Sequence, residues 1–291
     1  MSFFSLPYWL KPHLFTNKNF SDLSSAEISD LQRRIAGFQD EEPEVSVVIP
    51  AWNEENNIYR AISSLASSNT SLKVEIVVIN NNSTDGTQKV LDTLGVRNYF
   101  QIEQGIAPAR QMGLLKAKGK YHLCADSDTF YPPDWIDLMT KPMKENSKIV
   151  GVYGRYAFIP PPGDPRWVLW VYEKITGILI RIRKKNREFI NVLGFNMGFV
   201  TEVGRAGDGF EVDRARKFNN KMGSDEFVEE SEDGRMAQRL MAHGELRLVT
   251  NTKARVFTSS RRLIAEGGII QSFVNRFKIH TSRFSEYLTG K

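Results

Sequence analysis

Three short runs of apolar and β-branched residues, each followed by a helix-length segment, constrain this chain more than any other feature. Val45 to Ile49, Val74 to Ile79 and Tyr121 to Ala125 read as strands. Between the first two lies Glu54 to Ala66, with Ile58, Ile62 and Leu65 on one face and Asn53 placed to cap its first turn. Gly86 to Leu94 and Ala107 to Lys118 lie between the second and third. Strands joined by helices imply parallel pairing and right-handed crossovers. In open sheets of that kind ligands bind beyond the carboxyl ends of the strands. The residues to inspect for chemistry are therefore Pro50 to Glu55, Asn80 to Asp85 and Asp126 to Asp128.

Around this frame the chain is less regular. Ser24 and Glu27 have capping-box spacing, and Ile28, Leu31 and Ile35 follow at helical intervals, so a short amphipathic helix precedes the first strand. Asp40 to Glu44, around Pro43, reads as its linker. The second half has a proline cluster at Pro160 to Pro165, an apolar and aromatic stretch at Trp167 to Ile182, and glycine-rich breaks from Gly194 to Gly209. The apolar N-terminus lacks a basic leader and is broken by Pro7 and Pro12, so it does not read as a secretory signal. Nowhere do about eighteen apolar residues run together, since Glu173 and Lys174 interrupt the nearest candidate. A soluble or membrane-associated chain is expected, not a membrane-spanning one. The single cysteine, Cys124, excludes an intramolecular disulfide, fits a reducing compartment and reads as a small core residue.

Chemistry enters at the strand ends. Pro50 to Glu54 contains no glycine, which disfavours a phosphate-cradling loop. Trp52 can stack on a base with Glu54 accepting from its edge, or it can pack at the rim with Asn53 as a plain cap. Asn80 to Thr87 reads as a turn and helix start, with Asp85 as cap. Asp126 and Asp128, one residue apart after a buried strand, repel each other and lose hydration, a cost that a divalent cation bridging them to a diphosphate removes. The plainer alternative is a solvated acidic turn near Asp134. Glu232 and Asp233 open a helical segment ending at Gly244, where a carboxylate serves either as a capping device or as a general base.

Taken in order, these pieces resemble the family 2 glycosyltransferases of the GT-A fold. The similar stretches are Val45 to Glu55 (VSVVIPAWNEE), Ile76 to Thr87 (IVVINNNSTDGT), Gly105 to Gly119 (GIAPARQMGLLKAKG), Tyr121 to Asp128 (YHLCADSD) and Glu232 to Gly244 (EDGRMAQRLMAHG). The resemblance implies an α/β fold with a Rossmann-like, mostly parallel central sheet flanked by helices. It implies a nucleotide sugar held by Pro50, Ala51, Trp52, Glu54, Asn81, Arg110, Asp126, Ser127 and Asp128. Trp52, Glu54 and Asn81 would line the nucleobase pocket, with Arg110 near the nucleotide. Asp126 and Asp128 would hold Mg2+ or Mn2+, and Asp233 would be the catalytic base of an inverting transfer. Two departures stand out. Asn80 or Asn81 replaces an acidic residue of many relatives, which leaves guanosine open beside the favoured uridine. A late histidine of relatives is absent where Val256 to Arg262 stands, so Arg261 and Arg262 are candidates for the diphosphate, or a solvated basic pair. His243 and His280 are not assigned as ligands.

The expected organisation is an N-terminal segment and helix over 1–43, one catalytic domain over 44–262 and a helical tail over 263–291. Within the domain, 44–150 forms the nucleotide-sugar half and 151–262 a less regular acceptor half. A glycan or lipid-linked hydroxyl is the expected acceptor. A non-catalytic nucleotide-sugar-binding relative and a sugar nucleotidyltransferase are the rival readings; the second would carry a glycine-rich loop after its first strand. The formal charge of +5 suits phosphates or anionic lipid without choosing between them, and no nucleic-acid-binding motif is recognised. Trp167 to Ile182, followed by Arg183, Lys184, Lys185 and Arg187, suits either an anionic membrane surface or core packing with a basic rim. The cytoplasm, or the inner face of the cytoplasmic membrane, is the expected location.

Overall fold

The computed structural model describes residues 5–161, 166–211, 231–282 and 287. The first half alternates as expected: α1 (Ser25–Ala36), β1 (Val45–Ala51), α2 (Ile58–Leu65), β2 (Val74–Asn80), α3 (Thr87–Leu94), β3 (Arg97–Phe100), α4 (Ile106–Lys116) and β4 (Tyr121–Cys124). Next come β5 (Thr129–Phe130), α5 (Trp135–Glu145), β6 (Ile149–Gly154), β7 (Tyr156–Ile159), α6 (Arg166–Arg183), β8 (Met197–Val200) and α7 (Thr201–Ala206). The chain ends with α8 (Glu232–Met241), β9 (Glu245–Val249), β10 (Val256–Ser259), α9 (Arg261–Ala265) and α10 (Ile269–Ser282).

Seven strands form the central sheet in the order β3-β2-β1-β4-β8-β6-β9. β8 runs antiparallel to both β4 and β6, and the other pairings are parallel. Every residue of β1 and β2 is buried, because helices cover both faces. On one face Val47, Ile49, Ile76 and Val78 join Ile58, Ile62, Leu91 and Trp135 in the main core. On the other, Val48, Val77 and Ile79 meet Ala109 of α4. A Cβ at Gly113 would overlap the Val48 side chain, so glycine there lets α4 lie close to the sheet. Under β8 a second cluster gathers Leu114, Cys124, Phe199, Phe210, Met236 and Leu240, which ties α4 to α8.

A second, three-stranded sheet has the order β5-β10-β7. Phe257 and Thr258 pair with Phe130 and Thr129, and the Ser259 amide donates to the Asp128 carbonyl at 3.1 Å. This pairing carries residues from the end of the chain to the Asp126–Asp128 turn. Leu10 packs behind the small sheet against Phe130 and Phe257, with the Trp9 ring 5.9 Å from that of Phe257.

The capping box of α1 forms as expected: the Glu27 amide donates to Ser24 Oγ at 3.3 Å and the Ser24 amide to Glu27 Oε2 at 2.8 Å. The expected role of Asn53 does not hold. α2 begins only at Ile58, after Asn57, and Asn53 sits in the left-handed region at φ 53°. Its Oδ1 accepts from the amides of Thr84 at 2.8 Å and Asp85 at 3.3 Å. A side chain long enough to reach the neighbouring loop satisfies two amides there, where a cap would satisfy its own helix only. Among the described residues no helix is long and apolar enough to cross a membrane.

Candidate active site

The turn after β4 is held from beneath. The Asp126 amide donates to the Tyr131 hydroxyl at 2.8 Å, and that hydroxyl donates to the Phe195 carbonyl at 3.0 Å. Tyr131 is fully buried, so a rigid aromatic post joins the Asp126–Asp128 turn to the loop after Val192. Ser127 is buried and the two carboxylates stay largely shielded from solvent. Burial, and after it the charge of Asp126, pushes the Asp128 carboxyl above the ordinary carboxylate range.

Arg110, on α4, links this turn to α8. It is 4% exposed, and its Nη2 donates to Asp126 Oδ1 at 2.9 Å while Nη1 donates to the Gly194 carbonyl at 3.0 Å. Its Nε lies 3.5 Å from Asp233 Oδ1. The Gly194 amide in turn donates to Asp233 Oδ2 at 2.7 Å. A Cβ at residue 194 would overlap both the Arg110 guanidinium and the Asp233 carboxylate, so only glycine leaves room for this junction. The capping alternative for Asp233 is already met by a neighbour: Ser231 Oγ accepts from the Gly234 amide at 3.1 Å. Asp233 therefore turns inward, and its Oδ1 accepts no hydrogen bond. Burial raises its carboxyl to about 7, against the pull of Arg110 and with a further push from Glu232. A buried carboxylate with a free oxygen and a value near neutrality has the properties of a general base.

The side expected to hold the nucleotide is built at the ends of β1 and β2. Pro50 and Ala51 are buried strand residues, and Trp52 and Glu54 are half-buried beyond them. Glu54 Oε2 accepts from Asn57 Nδ2 at 2.7 Å, and its amide donates to Thr87 Oγ1 at 2.8 Å. Burial raises its carboxyl too. Asn81 is 3% exposed, with Oδ1 accepting from the Gly105 amide and Nδ2 donating to the Glu103 carbonyl, both at 2.8 Å. It ties the loop before α4 to β2, and both ends of its amide are engaged. Arg261 reaches back from α9: its Nη2 donates to Glu54 Oε1 at 2.7 Å and to Asp128 Oδ2 at 2.9 Å. Arg262 is exposed, and its charge acts on Asp128 from farther away. His243 is exposed, and the His280 side chain lies outside the described residues.

Among the described residues no cluster of three or more histidine, cysteine or acidic side chains converges as a complete metal cage. Asp126 and Asp128 offer hard oxygen donors, and Asp128 carries a buried charge that Arg261 offsets only at its exposed edge. Two carboxylates fit a Mg2+-like ion that takes its remaining ligands from water and substrate phosphates. Tyr131 and Asn57 brace the candidate site without a local motif announcing them, whereas Gly194 carried a signal as the first of the glycine-rich breaks.

Fold and site together define an α/β protein of the GT-A type. The glycosyl transferase family 2 model matches residues 46–206, more than half of the chain, and the chain belongs to that family. It is 29% identical over 173 residues to a hyaluronan synthase of Pasteurella multocida, a match covering 55% of this chain and 18% of the synthase. To the dolichol-phosphate mannosyltransferase of Saccharomyces cerevisiae it is 30% identical over 137 residues, 44% of this chain and 50% of the enzyme. The chain thus spans half or less of these relatives. S. aureus TarS 1–349 with UDP-GlcNAc superposes with a TM-score of 0.53 at 17% identity, covering 75% of this chain and 59% of that one. The mannosyltransferase PcManGT of Pyrobaculum calidifontis, with GDP-Man and Mn2+, gives 0.53 at 17%, covering 86% and 70%. At such identities the likeness speaks for the fold.

Proposed function

We propose that the chain is an inverting glycosyltransferase that moves a sugar from a nucleoside-diphosphate sugar to a hydroxyl of a glycan or lipid-linked acceptor. One observation carries this reading: Arg110 joins Asp126 to Asp233, residues from distant parts of the chain, in one buried junction. Asp126 and Asp128 would hold Mg2+ or Mn2+, which when bound neutralises charge on the departing diphosphate. Asp233 takes the proton of the acceptor hydroxyl. The acceptor oxygen then forms its bond to the anomeric carbon from the face opposite the diphosphate. The carbon–oxygen bond to the diphosphate breaks with its electron pair leaving on phosphate oxygen, so configuration inverts. Trp52 and Glu54 would contact the base, and Arg261 and Arg262 the diphosphate. A uridine donor is favoured and a guanosine donor is the second choice. The 44–150 half would bind donor and the 151–262 half acceptor, with 1–43 and 263–291 flanking them.

Asp233→Asn tests the base. Donor binding should persist while transfer falls by about 10²- to 10⁴-fold. Because a base works deprotonated, wild-type transfer should rise with pH through about 7. Full transfer by the variant would refute the assignment.

We place the enzyme in the cytoplasm with α6 against an anionic membrane face. Trp167, Val171, Ile175 and Ile178 are exposed along one side of α6, beside the exposed Lys174 and Arg181. Flotation with anionic vesicles should carry the protein upward, and Ile175→Glu should abolish this. Absence of flotation at moderate salt would remove the idea.

A further inference from the structure

Residues paired across two parallel strands put their side chains on the same face of the sheet. β7 and β10 pair with Tyr156 opposite Val256, and the Val256 amide donates to the Arg155 carbonyl at 3.2 Å. Arg155 and Arg255 are therefore neighbours, one position before that ladder begins. A third arginine joins them: burial, and then the charges of Arg181 and Arg255, hold the Arg155 guanidinium below the ordinary arginine value. Like charges side by side in a sheet are destabilising.

A carboxylate between them would remove the repulsion, but the described residues supply none. Among the described residues, no ion pair or hydrogen bond involves the side chains of Arg155, Arg181 or Arg255, and Arg155 Nε is buried without a partner. The acids nearest to Arg181 in sequence are both engaged. Glu173 pairs with Arg166 at 2.9 Å and accepts from the Phe158 amide, while Glu188 accepts from the Tyr153 hydroxyl at 2.8 Å. The position is as informative as the charge. Asn196 Nδ2 donates to the Arg155 carbonyl at 2.9 Å, and the Gly154 amide donates to the Asn196 carbonyl at 2.9 Å. Asn196 lies two residues beyond Gly194, whose amide holds Asp233. Arg155 thus adjoins the loop that holds the proposed base, and all three arginines lie in the half proposed to bind acceptor.

We propose that Arg155, Arg181 and Arg255 form a binding site for a phosphate group carried by the acceptor. Guanidinium forks match phosphate oxygens and stay charged when partly buried, which an ammonium does less well. The proposal rests on the transferase reading for the identity of the occupant, and not for the existence of the site. A phosphate on a lipid carrier and one on a soluble acceptor share this chemistry.

The test uses inorganic phosphate as probe, at matched ionic strength, with UDP or GDP present to fill the donor site. Wild-type protein and Arg155→Gln/Arg255→Gln are followed by thermal unfolding. Phosphate should raise the wild-type midpoint saturably, and the double variant should bind it at least about tenfold more weakly. Without phosphate the variant should be no less stable than wild type, because the repulsion is gone. An equal phosphate response in the two proteins would overturn the proposal. Nucleotide affinity, measured separately, should be the same in both. If neither nucleotide binds wild type while the phosphate difference persists, the donor reading fails and the anion site stands. Competition by glycerol 3-phosphate against phosphatidylglycerol vesicles then separates a soluble acceptor from a lipid-linked one.

Discussion

Arg110→Met removes the cation shared by Asp126 and Asp233 while keeping much of the bulk of the side chain. Arg110 is 4% exposed, with contacts of 2.9 Å to Asp126 and 3.5 Å to Asp233. Leaving two shielded carboxylates without their partner should cost about 3–5 kcal/mol. For a chain of this size that is a fall in midpoint of roughly 6–10 °C. The loss has a pH signature. Asp233 already has a carboxyl raised to about 7, chiefly by burial, although Arg110 pulls the other way. Without Arg110 it must rise further. An acid whose folded value is raised contributes stability that is present below its unfolded value of about 3.9 and is lost as pH climbs through the folded value. The deficit of the variant should therefore be smaller at about pH 5, where Asp233 can protonate, than at about pH 8.5. Thermal unfolding of both proteins at the two pH values measures it. A deficit independent of pH would show that Arg110 acts through packing alone, and the electrostatic account of the junction would fail.

Two further outcomes follow from the same reasoning. His122 is fully buried and stacked 4.7 Å from Phe199 with neither ring nitrogen hydrogen-bonded, and burial, aided by the charges of Arg110 and Arg205, lowers it to about 3. His122→Phe should stabilise the fold by about 1–3 kcal/mol by removing unsatisfied nitrogens. A histidine depressed in the fold loses stability as pH falls below about 6.5, so the advantage should be larger at about pH 5 than at pH 8; a variant no more stable than wild type at about pH 5 would refute this. Arg261→Gln should raise the affinity of Asp126 and Asp128 for Mn2+ alone by about fivefold, since the exposed ion pair it removes is worth up to about 1 kcal/mol. Electron paramagnetic resonance of free Mn2+ measures this, and unchanged or weaker binding would count against competition at Asp128.

β1, β2 and β4 were legible because strands buried on both faces read as nearly continuous apolar runs. β3 was not, since Arg97 to Phe100 is a partly exposed edge with no such run. The half after residue 150 resisted because its strands alternate between two sheets, and β7 and β10 belong to the small one. Local pattern was also misleading at Asn53, where a cap and a cross-loop brace need the same short amide. At Asp233 two roles were open, and Ser231, two positions earlier, caps the helix itself, which leaves Asp233 free for the proposed one. The junction itself could not be read from any window. Arg110 meets Gly194 across 84 positions, and Gly194 meets Asp233 across 39. Each contact depends on α4 and α8 packing on the same face of the sheet.

The site holds two acid–arginine arrangements that look alike in sequence and differ in their physics. The Arg110 side chain is 5% exposed and the Asp126 and Asp233 side chains 19% and 14%, so solvent would replace the cation poorly, and separating the charges would strand both acids. The Arg261 side chain is 49% exposed, and solvent can take over its bonds to Glu54 and Asp128 at little cost. Burial therefore assigns the roles. Arg110 ties the turn proposed to hold metal to the proposed base. Arg261 holds Asp128 and Glu54 with an exposed contact that, on the proposed reading, a divalent cation and a nucleotide would replace, leaving its guanidinium for the diphosphate.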